Sequence, residues 1–237
     1  MGIGVNSTAP EFKVAPDPIA AGAAGGFASP AASGSFDTTL SPFGMIDFGA
    51  GYQFNSWFRA DATLEYRAGA RLQSRYASTN PVSADFAGPA QYADFYRADI
   101  ASIVGLVNGY ANLGTWYGFS PFLGAGVGFA DNRLSGFIDP SPAGYSNGSK
   151  TSFAWALMAG VDFQVTPNLR LELGYRYLNY GLIATGGSNC LAGWAFSIAG
   201  CDGSTKTISS SNRLASNDFR LGLIYLIGET PPPVVAQ

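Results

Sequence analysis

The most telling features of this chain are those that it lacks. It contains no histidine, only three lysines and only two cysteines in 237 residues. The absence of histidine removes the commonest general base and metal ligand. Charged residues make up 12% of the chain, about half of the ~25% that is usual in soluble proteins. The net charge of −3 argues against nucleic acid as a partner. No run of 18 apolar residues occurs, which excludes a transmembrane helix.

Glycine and aromatic residues are abundant where charge is scarce. The chain has 31 glycines, and 14% of its residues are aromatic. This composition, without an apolar helix, is typical of a transmembrane β-barrel. The alternative is a soluble β-sandwich, whose outer faces would carry far more lysine and glutamate.

The stretch Arg170–Tyr177 carries the clearest secondary-structure signal. Charged residues or glycine occupy every second position, with Leu or Tyr between them. A β-strand sends alternate side chains to opposite faces, so one face here is ionic and the other is apolar. In a membrane barrel the apolar face meets lipid and the ionic face lines the interior.

Six further segments alternate in the same way and predict strands of about ten residues, the length that a tilted strand needs to cross a bilayer. They lie near residues 47–54, 58–67, 97–110, 123–129, 153–164 and 218–227. The third is the least regular: Arg97 and Asp99 are predicted on one face, with Ile100, Val104 and Leu106 on the other.

The connections between the predicted strands alternate in length. Residues 55–57, 112–120 and 166–168 form short connections, whereas 68–96, 135–152 and 181–217 form long ones. Short periplasmic turns and long extracellular loops are the outer-membrane pattern. Seven strands would leave an edge exposed to lipid, so we expect the amino-terminal segment to supply an eighth. The segment Gly2–Asn6 alternates but is too short to span, which predicts that Met1 lies inside strand one and that the true N-terminus is further upstream.

The predicted domain organisation is one barrel and a tail. The barrel covers residues 1–227, including an Ala/Gly/Pro-rich first extracellular loop at 7–41, and a proline-rich tail covers 228–237. Both termini are expected in the periplasm.

The alternation also predicts which charges point inward. Seven acidic and six basic residues share the inner face, and every one of the basic residues is Arg, whose planar fork suits paired contacts in a tight space. An eight-stranded barrel is just wide enough to be filled by side chains, so we predict a closed interior in which the charges neutralise one another. A narrow ion path and a catalytic carboxylate pair are the alternatives. The predicted interior ion-pair network is Asp47, Arg59, Asp61, Glu65, Arg67, Arg97, Asp99, Asp162, Arg170, Glu172, Arg176, Asp218 and Arg220.

Two loops are candidate contact sites. Cys190 and Cys201 lie close together in a Gly/Ser-rich stretch, which predicts a local disulfide formed outside the cytosol rather than a metal site. Trp194 and Phe196 lie between them, and Phe27 lies in the first loop. Apolar residues at loop tips can mark a contact with a partner; packing against another loop, or a simply flexible first loop, is the alternative.

Aromatic residues cluster near the predicted ends of the strands, as in the two interfacial girdles of membrane barrels. One girdle is predicted from Tyr52, Phe54, Trp57, Phe58, Trp116, Tyr117, Phe119 and Phe122, and the other from Tyr175, Tyr177 and Tyr180.

Four short motifs resemble a known family: Asn108–Gly114, Gly124–Ala130, Leu173–Leu178 and Phe219–Leu223. Over about Phe43–Ile227, outside the long loops, the chain is similar to small outer-membrane barrel proteins of alphaproteobacteria, the porin-family or opacity-protein-like group akin to the OmpA-type barrel. The resemblance implies an all-β, eight-stranded antiparallel transmembrane β-barrel in the bacterial outer membrane. It also implies roles in envelope integrity and in host or surface contact, and offers no catalytic residues to transfer.

The sequence therefore predicts a structural or interaction protein that contacts partners through its extracellular loops. Outer-membrane lipid and lipopolysaccharide are expected around the barrel, with a protein partner or self-association through the loops, and no cofactor or metal. A small pore-forming channel is the alternative. An outer-membrane enzyme is less favoured, because histidine and any recognisable Ser/Asp motif are absent.

Overall fold

Every regular element that the structure describes is a β-strand. The computed structural model describes residues 2–6, 34–78, 92–138, 143–145, 147–184, 187–190, 206–207 and 212–227. No helix in these ranges is long and apolar enough to cross a membrane. The strands are β1 (Gly2–Asn6), β2 (Gly34–Leu40), β3 (Phe43–Gln53), β4 (Phe58–Ser78), β5 (Tyr92–Asn112), β6 (Phe119–Ile138), β7 (Ala143–Tyr145), β8 (Gly148–Thr166), β9 (Leu169–Ile183), β10 (Gly187–Cys190), β11 (Lys206–Thr207) and β12 (Asn212–Tyr225).

Eight of these strands pair in a ring. Hydrogen-bonded neighbours follow the order β1, β12, β9, β8, β6, β5, β4 and β3, and β3 pairs with β1 again. Every pairing is antiparallel. Strand β2 extends the line of β3 along the same partner, β4. The predicted eight-stranded antiparallel barrel is confirmed, and Gly2–Asn6 supplies its eighth strand.

The strands are longer than the ten residues predicted. β4 and β5 have 21 residues each, and β6 has 20. At about 3.3 Å per residue and a tilt of about 40°, a strand of this length rises roughly 50 Å, about twice the height of the apolar band of an outer-membrane barrel. Much of the predicted loop at 68–96 is therefore strand, since β4 continues to Ser78 and β5 begins at Tyr92. The other long connections are shortened in the same way.

The wall of the barrel changes polarity along its height. On β6, Leu123 and Val127 face outward near the short turns, and Gly126 faces the interior. Farther along the same strand, Arg133 is exposed on the outside and Leu134 is buried inside. The half nearest the turns thus has an apolar outer face, as in lipid, and the half nearest the loops has a polar outer face, as in water.

A β-bulge in β4 keeps the apolar residues of the loop-side half facing inward. The register with β5 shifts between Arg67 and Ala70, and Gly69 between them has a φ of +89°, a region that residues with side chains rarely adopt. The extra residue lets Arg67 and Ala70 both face inward. Arg71, which strict alternation from Arg67 would place inside, is exposed instead.

On β5 the predicted division into two faces is confirmed, but the face predicted to point inward is wrong. Ile100, Val104 and Leu106 are buried in the interior, whereas Arg97 and Asp99 lie on the exposed outer face. The assumption that charges face inward fails here, because this part of β5 lies in the half of the barrel whose outer face is polar. Arg97 and Asp99 are therefore not members of an interior network.

Two of the long connections meet at the loop end of the barrel. Strand β7 lies between β6 and β8, and strands β10 and β11 lie between β9 and β12. They form a separate three-stranded antiparallel sheet in which β10 is central, with Ser188 opposite both Tyr145 and Lys206. We call this the loop sheet.

Candidate functional site

Four charged side chains form a neutral cluster inside the barrel, which we call the central quartet: Glu65, Arg67, Arg176 and Asp218. Arg67 lies 2.7 Å from a Glu65 oxygen and 2.8 Å from an Asp218 oxygen. Arg176 lies 2.6 Å from Glu65 and 2.7 Å from Asp218. All four side chains are at most 3% exposed. Because each arginine contacts both carboxylates, no charge of the quartet is left unpaired.

The fold brings the quartet together from three strands. Asp218 on β12 is directly opposite Arg176 on β9, so strand register alone makes that pair. Glu65 and Arg67 are successive inward residues of β4 and reach across the interior. Arg67 also lies over the Phe43 ring, with Cζ 4.2 Å from the centroid, a cation–π geometry. The quartet therefore ties opposite sides of the wall together.

A second ionic group lies nearer the turns. Arg59 lies 2.9 Å from Asp162 and 2.7 Å from Glu172, which are opposite one another on β8 and β9. Its guanidinium also lies 4.5 Å from the Tyr110 ring centroid and 5.0 Å from that of Phe122. The guanidinium of Arg59 therefore lies among two acidic side chains and two aromatic rings.

The remaining predicted interior residues are placed as follows. Arg220 forms an ion pair with Asp47. Asp61 accepts a hydrogen bond of 2.7 Å from the Asn108 amide, and Arg170 donates one of 3.1 Å to Gln53.

The other two predicted members, Arg97 and Asp99, lie outside. Asp99 is 3.5 Å from Arg71, and both of these side chains are more than 60% exposed. Apart from them, each residue of the predicted network has an ionic or hydrogen-bonded partner within the barrel wall.

An apolar layer closes the loop-side half of the interior, and sequence reasoning missed it. Its largest members are at most 2% exposed: Leu72, Leu134, Leu178, Ile183 and Leu214. The signal was present on β6, where the chain continues to alternate beyond Phe129 but with Asp131 and Arg133 at the outward positions.

One polar residue is built into the apolar layer. The Asn132 amide donates to the backbone carbonyls of Tyr180 and Leu182 at 2.8 and 3.0 Å. Its oxygen accepts a hydrogen bond of 2.6 Å from Ser102. These three contacts satisfy a side chain that is 0% exposed.

The aromatic residues near the turns form much of the predicted girdle. Tyr52, Trp57 and Tyr117 are all exposed, Tyr117 to 98%. Two assignments were wrong: Phe122 and Tyr180 are buried in the interior at 3% and 2%. Phe122 lies on the same face of β6 as the inward glycines, and Tyr180 lies on the same face of β9 as Arg176. The alternation of side chains along each strand therefore places both rings inside.

The interior offers little space for a ligand. A polar cavity of about 20 Å³ lies at the turn end, which is room for about one water. Among the residues whose structure is described, no three His, Cys, Asp or Glu side chains are grouped so as to hold a metal.

The predicted loop contacts fall largely outside the described residues. Cys190 ends strand β10 of the loop sheet, but the disulfide itself stays a prediction. The predicted residues outside the described ranges are Phe27, Trp194, Phe196 and Cys201, together with the tail 228–237.

Comparisons with known proteins agree with this geometry. A family model described as outer membrane protein beta-barrel domain matches residues 5–198. Outer membrane protein PagN of Salmonella typhimurium is 34% identical over 123 residues, covering 51% of this chain and 47% of that protein. A proposed adhesin of Rickettsia canadensis is 29% identical over 143 residues, covering 57% of this chain and 58% of that protein.

Among solved structures, the crystal structure of Neisserial surface protein A is 14% identical. The match covers 82% of this chain and 99% of that chain, with a TM-score of 0.36. The chain spans about half the length of the curated relatives that it matches.

Proposed function

From the premise that this chain belongs to the outer membrane protein beta-barrel domain family, we propose that it is an attachment protein of the outer-membrane surface. In this proposal the barrel anchors the chain, and the extracellular loops contact another cell, a protein partner or a further copy. The relatives named as adhesins support an interaction role.

The filled interior is the observation that carries the proposal. The quartet and the Arg59 group occupy one half of the barrel, and the apolar layer occupies the other. Because these groups occupy much of the interior that the described strands enclose, a function at the outer surfaces is favoured over one inside the barrel. The loop sheet supports the same conclusion, because it joins two long connections into one paired structure.

The proposed orientation follows from the connections. The short turns and both termini lie in the periplasm, and the long loops lie outside the cell. Residues 1–227 make the barrel with its loops, and residues 228–237 form a periplasmic tail. The first loop is shorter than the predicted 7–41, because Gly34–Leu40 is strand β2. Lipopolysaccharide surrounds the loop-side half, where the outer wall is polar.

The proposed contact residues are Phe27 in the first loop and Trp194 and Phe196 in the fourth, with Cys190 and Cys201 closing the fourth loop. Aromatic rings in a loop closed by a disulfide would lose little conformational freedom on binding, which favours contact with a partner.

Replacing Trp194 and Phe196 together with Ser should reduce attachment of cells that display the protein by roughly tenfold or more, since aromatic anchors dominate contact energies. Adherence to a host-cell layer or to a second bacterial population is counted. The matched control is Trp57→Ser, which removes an exposed ring at the turn end and should leave attachment unchanged. Heat-modifiable gel mobility verifies that each variant folds. Equal attachment by folded double variant and parent would dismiss the fourth loop as the contact.

The filled interior also makes a channel unfavourable. Purified protein in a planar bilayer is expected to show no discrete conductance steps, because both the ionic half and the apolar layer block the passage. A known outer-membrane porin, reconstituted in the same lipid, is the positive control. Stepwise openings that scale with the amount of this protein would contradict the closed interior and restore the pore as its function.

A further inference from the structure

Two residues that line the polar cavity at the turn end each have a buried side-chain oxygen that no other group in the described part of the chain contacts by a hydrogen bond. One is Oδ1 of Asp162, a residue that is 2% exposed, and the other is Oδ1 of Asn112. A buried polar atom without a partner destabilises a fold, so such an atom in a native structure indicates a bound water or ion.

The remaining polar atoms of these two side chains hold them in place. Oδ2 of Asp162 accepts a hydrogen bond of 2.9 Å from Arg59. The amide nitrogen of Asn112 donates one of 3.4 Å to the backbone carbonyl of Ser56, which leaves its oxygen for another contact. Both free oxygens are therefore positioned before any ligand binds.

The cavity offers further oxygen ligands and room for one small ion. The hydroxyls of Thr115 and Ser120, 2.7 Å apart, also line it. Carboxylate, amide and hydroxyl oxygens are the ligands that hard cations prefer. The volume of about 20 Å³ holds a single atom of the size of a water oxygen.

An ion can reach this cavity from water without entering lipid. Ser56 lies between β3 and β4, and Thr115 lies between β5 and β6, so two of the short turns border the cavity. Farther into the barrel, the central quartet and the apolar layer occupy the interior. The cavity is therefore a place where an ion binds and not a section of a passage.

The unbonded atoms at the cavity favour a cation over a water. Both belong to acceptors, whereas the buried unbonded donor among the described residues, Nε of Arg59, belongs to a residue that does not line the cavity. The single guanidinium of Arg59 is shared by the carboxylates of Asp162 and Glu172. The positive group that does line the cavity, Arg170, donates a hydrogen bond to Gln53.

The charges around the cavity agree with a cation. Outside the neutral quartet, the described inward residues of the turn-side half comprise four acids and three arginines: Asp47, Asp61, Asp162, Glu172, Arg59, Arg170 and Arg220. A negative charge in excess is costly inside a barrel, and one bound monovalent cation balances it.

We propose that the turn-end cavity binds one small monovalent cation, of the size of sodium or potassium. Oδ1 of Asp162 is its charged ligand, and Oδ1 of Asn112 and the hydroxyls of Thr115 and Ser120 are its neutral ligands. A divalent ion would need more carboxylates than the one that lines this cavity. The ion would join β5, β6 and β8 near their turns. The site lies inside the barrel and is independent of the proposed attachment function.

Unfolding in urea tests the site when it is measured for the purified protein in lipid vesicles in sodium, potassium or choline chloride at equal ionic strength. Choline is too large for the cavity, and equal ionic strength makes general screening the same in all three salts. A ligand that binds the folded state alone stabilises it by mass action. In about 0.5 M sodium or potassium chloride, we expect the folding equilibrium constant to be about tenfold higher than in choline chloride, as for an ion present at about ten times its dissociation constant.

Three variants locate the effect. Asp162→Asn should abolish the difference between the salts, and Asn112→Ala, which leaves the Arg59–Asp162 pair intact, should at least halve it. Arg170→Gln should enlarge it, because a positive charge beside the ion is removed. Asp99→Asn, in a pair that is more than 60% exposed on the outer wall, is the control and should keep the difference of the parent. Each variant is compared with itself in choline chloride, so a general loss of stability does not affect the readout.

Two results would overturn the proposal. Equal stability of the parent in the three salts would mean that the cavity holds a water only. A difference between the salts that Asp162→Asn and Asn112→Ala both leave unchanged would place the bound cation elsewhere on the protein.

Discussion

Replacing Asp218 with Asn should destabilise the barrel by about 3–5 kcal/mol, the cost of breaking a buried ion pair by neutralising one partner. Asp218 is 0% exposed and accepts hydrogen bonds from both arginines of the central quartet, at 2.8 and 3.0 Å from Arg67 and at 2.7 and 2.9 Å from Arg176. Asparagine has nearly the same shape, so no cavity forms. It leaves two buried guanidiniums facing the single carboxylate of Glu65.

The measurement is the free energy of unfolding in urea, followed by tryptophan fluorescence in lipid vesicles. Asp99→Asn is the matched control, because it makes the same chemical change in a pair with Arg71 that is more than 60% exposed. Exposed ion pairs contribute about 0–1 kcal/mol, so the free energy of unfolding of the control should change little. Similar losses in the two variants would show that the quartet contributes no more than a surface pair.

Replacing Leu178 with Ala should cost about 2–5 kcal/mol, the range for truncating a large apolar side chain in a packed core. Leu178 is 0% exposed and belongs to the apolar layer. The loss combines the transfer of the side chain from water with the cavity that the surrounding leucines cannot fill.

Leu173→Ala on the same strand is the control for Leu178→Ala. Leu173 is 59% exposed on the outward face of β9, so its truncation removes few protein contacts and opens no cavity. Because unfolding still moves this side chain from lipid to water, we expect Leu173→Ala to lower the midpoint in urea, but by less than Leu178→Ala does, since it forms no cavity. If the two variants unfolded at the same urea concentration, the loop-side interior would not be a packed core.

The interior charges nearest the turns were predictable because the sequence alternates without ambiguity there. Arg170, Glu172 and Arg176 all occupy even-numbered positions, with Gly174 as the fourth residue of that face. The residues between them are Leu or Tyr, so only one face of the strand holds charges. The same regularity identified Arg59, whose partners come from other strands. The alternation of side chains along a strand predicts which residues face inward. Which acid contacts which arginine depends on the register between strands across the barrel, and the sequence of one strand does not determine that register.

The predictions failed where an assumption about solvent was carried too far. On β5, apolar residues occupy both parities, with Ile103 and Val107 on one face and Ile100 and Val104 on the other. Such a pattern does not determine which face of the strand points into the barrel. Placing Arg97 inside requires that charges always point inward, which holds only where the outer face meets lipid.

The aromatic errors have a related cause. Phe122 and Tyr180 were assigned by their distance from the strand ends, without their parity. Inside, Phe122 packs edge-on against Tyr110 at 5.6 Å and forms part of the surroundings of Arg59. Composition alone does not distinguish an aromatic ring that packs against an interior arginine from one at the membrane interface. The face of the strand on which the ring lies does distinguish them.

The reversal of polarity along the wall determines how far the protein reaches. From Phe129, an exposed ring on the outer face of β6, the strand runs nine residues further to Ile138, a rise of about 20–25 Å. The apolar layer fills the inside of this section as a hydrophobic core fills a soluble domain. The section is therefore a packed extension of the barrel and not a set of separate loops. Outward charges such as Asp131 and Arg133 prevent it from sinking into the hydrocarbon. The loop sheet is thereby held beyond the apolar band of the wall, at the end of the barrel opposite the short turns.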